Sequence, residues 1–280
     1  MDTTAWWYIN GVWVHPQEAT ISINDVAVLR GYSVFESLRT YHRHPFHLDE
    51  HLKRLYRSAQ LLELDVSYAY DELAQIVLDC IQRNPYEHAT IRMFVTGGIS
   101  EDGISPSEQN GLAVLITPLG ERDMERFERG ISLITTTLTR MTPEAKSSNY
   151  VAAIRALKDA ARHNASDALF TNEHGHVLEG TKSNFFIFRG DTLVTARSEV
   201  LMGVTRKVVL ELARGRFTIE ERPILLDELA DIDEAFITST SKEITPVIKI
   251  NEHIISGGKP GPRTTELEQR FINLVESMDH

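Results

Sequence analysis

The sequence predicts an α+β (mixed α/β) fold, and three observations predict it. Two long stretches repeat apolar residues at helical spacing: Leu48, Leu52, Leu55, Ala59 and Leu62, then Leu73, Ile76, Val77, Cys80 and Ile81. Many short apolar or alternating runs are separated by turn residues such as Asn10-Gly11, His174-Gly175 and Gly190-Asp191. Helices and strands also follow each other without a regular βαβ period, which argues against a doubly wound sheet.

The elements follow in chain order. Trp6–Ile9 and Val12–Val14 flank Asn10-Gly11, a type I′ hairpin signal. Val34–Tyr41 alternates as a strand, which puts Phe35, Ser37 and Arg39 on one face and Glu36, Leu38 and Thr40 on the other. Helices are expected over His47–Leu62 and Tyr70–Arg83, then strands over Thr90–Val95 and Leu112–Ile116. The long Thr96–Gly111 loop between those strands is of the kind that carries function or an interface. The charged segment Glu121–Arg129 marks a boundary near 118–130, giving domains at 1–120 and 121–280. Beyond it the pattern predicts a strand at Ile131–Thr137, an irregular Pro143–Asn149 and a helix over Tyr150–Arg162. Short strands are expected at Ala168–Thr171, Val177–Leu178, Asn184–Phe188, Leu193–Thr195 and Glu234–Thr238, with a late β stretch at Val247–Ile255. Helices are expected at Arg206–Arg214 and Thr264–Met278.

Composition narrows the function. A hydrophobic content of 42% and a charged content of 25% over 280 residues are those of a soluble globular protein. A formal net charge of −11 argues against a nucleic-acid binder. One cysteine, Cys80, excludes a disulfide within the chain and fits a reducing compartment. No long apolar span or signal-like N-terminus is present, so no membrane partner and a cytoplasmic location are expected.

Zinc-protease, P-loop, dinucleotide and serine-hydrolase motifs are all absent. His42, His44, His47 and His51 cluster in sequence, but a solvated helix start accounts for them better than a metal site, so no metal is expected. Lys146 is unlike the other lysines. It follows a strand and a turn, at the lip of a core, where an amine can form a Schiff base with an aldehyde cofactor. Such a cofactor needs a carboxylate on its ring nitrogen and a cup for its phosphate. Glu179, at the end of an apolar run before Gly180–Asn184, suits the first need, although alone it reads equally as an acid in an exposed turn. Thr205 at a helix start after Gly203-Val204, the hydroxyl-rich Ser239-Thr240-Ser241 turn and the fork of Arg54 suit the second.

Four blocks in this order, Lys146–Tyr150, Leu178–Phe185, Gly203–Arg206 and Thr238–Val247, resemble the class IV aminotransferases, the fold-type IV pyridoxal 5'-phosphate enzymes. The resemblance covers nearly the whole chain, including His51–Leu55. It implies a small N-terminal α/β domain, a larger C-terminal domain with a β-barrel-like core, and at least a homodimer, with Thr96–Gly111 as the natural cross-subunit contributor. It makes Lys146 the Schiff-base lysine and proton shuttle, Glu179 the partner of the pyridine nitrogen, and Arg54, Val204, Thr205 and Thr240 the phosphate holders. Tyr150 falls near the cofactor 3′-oxygen, and Ser183, Asn184 and Ser239 line the cofactor. Substrates would be an amino acid and a 2-oxo acid, with branched-chain L-amino acids ranked first. Gly97 replaces the arginine that D-amino acid enzymes use for the substrate carboxylate, and two tyrosines of the branched-chain pattern are missing. Arg30, then Arg39 and Arg92, are the candidates for that carboxylate, with Phe35 and Ser241 beside the substrate. D-amino acid or (R)-amine transamination, aminodeoxychorismate lyase action and cofactor binding without turnover are the alternatives.

Overall fold

In the computed structural model, which describes residues 2–120 and 124–279, the chain divides into two compact units. The first comprises Met1–Glu121 and Glu144–Asn149, and the second comprises Arg122–Pro143 and Tyr150–His280. Glu144–Asn149 thus falls with the first unit, whereas the sequence pattern left it in the second. The cause is backbone pairing: Lys146 O accepts from Phe35 N–H at 2.9 Å, Ser33 O from Ser148 N–H at 3.1 Å, and Val34 bridges Ser147. Part of the expected boundary, residues 121–123, lies outside the described residues.

In the first unit the order is β1 (Trp7–Ile9), β2 (Val12–Val14), α1 (Val26–Arg30), β3 (Ser33–Tyr41), β4 (His44–Pro45), α2 (Leu48–Leu61), α3 (Tyr70–Gln82), β5 (Ala89–Thr96) and β6 (Gly111–Pro118). The strands form one sheet ordered β2-β1-β6-β5-β3-β4. The predicted alternation of β3 holds: Glu36, Leu38 and Thr40 are buried, while Phe35, Ser37 and Arg39 are half-buried. The apolar stripes of α2 and α3 join Val34, Leu38, Ile91, Met93 and Val114 in one core. Cys80 lies in that core, and burial pushes its thiol up to about 12, so it is a packing residue. Helix α1 was not anticipated; Asp25 caps it, and left-handed Gly31 (φ 71°) ends it. The Thr96–Gly111 loop is tied to its own unit. Gly98 O accepts from Val26 N–H, Ser100 N–H donates to Asn24 O, and Asp102 accepts from Ile104 and Ser105.

The second unit contains α4 (Met124–Arg129), β7 (Ile131–Thr137), α5 (Val151–Arg162), β8 (Asp167–Thr171), β9 (His176–Gly180), β10 (Asn184–Arg189), β11 (Thr192–Thr195), α6 (Val204–Ala213), β12 (Thr218–Glu221), β13 (Ile224–Leu225), β14 (Glu234–Ser239), β15 (Glu243–Ile250), β16 (His253–Ile254) and α7 (Pro262–Glu276). Pairing runs β10-β14-β15-β7-β8-β9, and β9 pairs back onto β10 through Glu179–Asn184. Six strands therefore close into a barrel, the core that the resemblance implied. Leu169, Phe185, Ile187, Ile237 and Val247 are among its core residues. The last long strand begins at Glu243, four residues before the predicted start, because Glu243–Thr245 pair with Thr238–Ser239 and Ile237 of β14. The β10–β14 register sets Asn184 opposite Thr238. The end of β9, the start of β10 and the end of β14 therefore share one rim of the barrel. No described helix is long and apolar enough to cross a membrane.

Candidate active site

The first unit gathers its chemistry around β3. Glu36 points into the core and is fully buried. Arg54 on α2 grips it with both arms of its fork, Nε to Oε1 at 2.6 Å and Nη2 to Oε2 at 2.8 Å. One turn earlier on α2, buried His51 meets Oε2 through Nδ1 at 2.7 Å. Burial alone would raise the Glu36 carboxyl, but the Arg54 charge and the hydrogen bonds of Arg54 and His51 hold it well below the usual carboxylate range. Burial drives His51 towards the neutral imidazole; Glu36 opposes this, while the charges of Arg54 and Lys146 add to it.

This cluster fixes an acid response. On acidification the unfolded chain protonates His51 near its ordinary 6.5 and Glu36 near 4.5, while the folded protein leaves both unprotonated. The unfolded state then binds more protons, so stability should fall as the pH is lowered from about 7 to about 4. Denaturant midpoints measured across that range check the sign; a flat or rising profile would contradict it.

The other face of β3 carries Phe35, Ser37 and Arg39. Phe35 stacks on Phe94 at 5.7 Å between centroids, and the register places Arg92 opposite Ser37. Lys146 Nζ sits 4.4 Å from the centre of the Phe35 ring. The lysine's backbone is fixed on both sides, by Phe35 N–H and by a bond from its own N–H to Ser58 Oγ at 3.1 Å. Arg39 lies over the Tyr41 ring at 4.1 Å. The structure thus brings Lys146, Phe35, Phe94, Arg92 and Arg39 onto one half-open face. Arg30 is elsewhere, exposed at the end of α1 and donating to Leu29 O at 2.9 Å. Gly97 is buried, and a Cβ there would collide with the Tyr32 ring.

In the second unit the barrel rim carries the rest. Glu179 is buried at the end of β9. Its Oε1 accepts from Arg140 Nη2 at 2.6 Å, and its Oε2 from Leu201 N–H at 3.0 Å. Asn184 Nδ2 approaches Oε2 at 3.4 Å and donates to Leu201 O at 2.7 Å. Arg140 also donates to Pro143 O, which fixes the guanidinium between that backbone and the carboxylate. Glu179 is therefore a held, buried acid, not an acid in an exposed turn.

Gly203 precedes α6, and no side chain caps that helix. Its first N–H groups, at Val204 and Thr205, belong to buried residues. A Cβ at Gly203 would overlap Asn184 Oδ1, so only glycine allows this approach. Ser183 Oγ and Thr238 Oγ1 are buried without a hydrogen-bond partner. Thr240 and Ser241 follow in the turn between β14 and β15, and Ser239 Oγ accepts there from Lys242 N–H at 3.2 Å. Tyr150 begins α5, half-buried against Ile134, Phe170 and Leu178. These features fit the implied cofactor. An uncapped helix start and idle hydroxyls suit a phosphate, and a buried carboxylate suits a protonated ring nitrogen.

Sequence reasoning did not find Arg140 or the bond of Arg54 to Glu36. The only linear signal was Arg140 standing six residues before Lys146. The expected histidine cluster disperses: His51 bonds Glu36, His47 lies 3.3 Å from Glu50, and His44 is exposed.

The Amino-transferase class IV family model matches residues 33–250. A putative branched-chain-amino-acid aminotransferase of Methanocaldococcus jannaschii is 33% identical, over 95% of both chains. A D-alanine aminotransferase of Staphylococcus aureus is 30% identical, over 96% of this chain and 98% of the relative. Among solved structures, a T.th. branched-chain amino acid aminotransferase with pyridoxamine 5'-phosphate superposes with a TM-score of 0.91 at 30% identity, covering 97% of this chain and 94% of the other.

Proposed function

The chain belongs to the class IV aminotransferases, and we propose that it moves the amino group of a branched-chain L-amino acid to 2-oxoglutarate on pyridoxal 5'-phosphate. The observation that carries the donor class is the apolar floor beside the reacting amine. Lys146 Nζ stands over Phe35, and Phe35 stacks on Phe94, so an aliphatic side chain meets rings and not charges. Bound pyridoxal phosphate supplies an electron sink that acidifies the donor's α-proton. Lys146 Nζ takes that proton. Glu179, held by Arg140 and the Leu201 N–H, keeps the proton on the ring nitrogen. The Val204 and Thr205 N–H groups, the Thr205 and Thr240 hydroxyls and Arg54 hold the phosphate; Ser183, Asn184 and Ser239 support that cup, and Tyr150 orients the ring. Arg92 and Arg39 share a face with Lys146 and serve the substrate carboxylates, ahead of Arg30 on α1. A homodimer in the cytoplasm fits this role.

An Arg92→Ala variant should raise the amino-acid KM roughly tenfold or more and leave cofactor affinity unchanged, since a hydrogen bond to a charged group is lost. Arg30→Ala should change KM by less; the reverse order would restore Arg30 to first place.

The reading is tested by mixing the yellow holoenzyme with single amino acids and following the loss of cofactor absorbance. Leucine, isoleucine and valine should convert it fastest. Faster conversion by D-alanine would favour the D-amino acid reading, which the Staphylococcus aureus relative keeps in view. Release of pyruvate without an added oxo acid would favour the lyase, and no conversion by any amine would leave a binding protein.

A further inference from the structure

Two histidines and a glutamate at the far end of β3 take no part in the chemistry above. His42 follows β3 in the turn to β4, and Glu87 and His88 precede β5. One ligand atom from each of the three lies within 4.8 Å of the other two. His42 Nδ1 and Glu87 Oε1 are 2.9 Å apart, and the His42 and His88 rings meet edge to face with centroids 4.8 Å apart. Nδ1 of His88 is buried and has no hydrogen-bond partner. The backbone beneath them is fixed. Glu87 O accepts from Arg43 N–H at 2.8 Å and Thr40 Oγ1 at 3.3 Å, and His88 O accepts from Leu119 N–H at 2.9 Å.

We propose that His42, Glu87 and His88 bind a divalent transition-metal ion of the zinc type. Two imidazoles and one carboxylate suit zinc, cobalt or nickel, whereas magnesium and calcium require oxygen ligands throughout. Tetrahedral zinc with bonds of about 2.0–2.1 Å sets its ligand atoms roughly 3.3 Å apart. The widest present spacing then closes by about 1.5 Å, a shift within reach of side-chain rotation. The Glu87 side chain, 66% exposed, has room to make it. A surface bond between His42 and Glu87 leaves the buried nitrogen of His88 unexplained; coordination of the His88 ring accounts for its place in the cluster. The ion would tie the β3–β4 turn to the start of β5. It lies about 20 Å along β3 from Phe35, at a strand's rise of about 3.3 Å per residue, so it is separate from the reacting face.

The test is a titration of untagged holoenzyme with zinc chloride by calorimetry, and with cobalt chloride by visible absorbance. One saturable ion per chain is expected, with tetrahedral cobalt bands and a raised Tm. His88→Ala and Glu87→Gln should each weaken zinc binding at least tenfold, and His44→Ala, next to the site, should not. Glu87→Gln keeps an exposed hydrogen-bonding side chain, so its loss of affinity cannot come from misfolding. Absence of saturable uptake, or uptake that persists in His88→Ala and Glu87→Gln alike, would overturn the proposal.

Discussion

Lys146→Ala should lower the transamination rate by at least about 10³-fold, because one side chain supplies both the Schiff-base amine and the proton carrier. The fold should survive. The segment is held by backbone bonds, from Phe35 N–H to Lys146 O and from Lys146 N–H to Ser58 Oγ, and alanine keeps both. What is lost from packing is the contact of the ammonium with the Phe35 ring, worth about 0.5–1 kcal/mol at a partly exposed site. The expected result is therefore a well-folded protein without turnover. Single-turnover absorbance with leucine, beside a denaturation curve, separates the two effects. A variant with wild-type turnover would remove Lys146 from the mechanism; a variant that fails to fold would show that the segment depends on the side chain.

The second large effect is structural. Glu36→Ala leaves the Arg54 guanidinium 10% exposed with no carboxylate, and strips buried His51 of its acceptor. Breaking a buried ion pair from one side costs about 3–5 kcal/mol. A drop of that size should appear as a lower urea midpoint with an unchanged slope. Glu36→Gln keeps the volume and one acceptor oxygen and should recover part of the loss. Because Arg54 is assigned to the cofactor phosphate, Glu36→Gln should also weaken cofactor binding, since its fork is aimed by Glu36. A Glu36→Ala midpoint equal to the wild type would show that Arg54 and His51 find other partners.

What the sequence showed and what it hid divide along contact range. The β3 alternation, the α2 and α3 stripes and the Asn10-Gly11 hairpin are local patterns, and the structure repeats them. Lys146 and Glu179 were legible because each sits in a motif of a few consecutive residues. The bonds of Glu36 to His51 and Arg54 span 15 and 18 residues, and the bond of Arg140 to Glu179 spans 39. No periodicity records such distances. Barrel closure rests on one register, Glu179 to Asn184, which looks in sequence like any tight turn. Helix α1, five residues long, is too short to show a period. The start of β15 was misplaced because Glu243 is charged, although β14 pairs it into the sheet.

Synthesis order gives the paired segment at Lys146 a further consequence. The edge of β3 at Ser33–Phe35 takes its partner from residues 146–148, more than a hundred positions later. A nascent chain that has emerged only as far as residue 121 has made every helix and strand of the first unit, but it lacks that last pairing. At about 5–20 residues per second the gap lasts a second or more. During that interval the open edge is a place where a growing chain can pair wrongly or be captured by a chaperone. The N-terminal unit is thus completed on the ribosome late and from outside its own continuous stretch, and the residues that complete it carry the reactive amine.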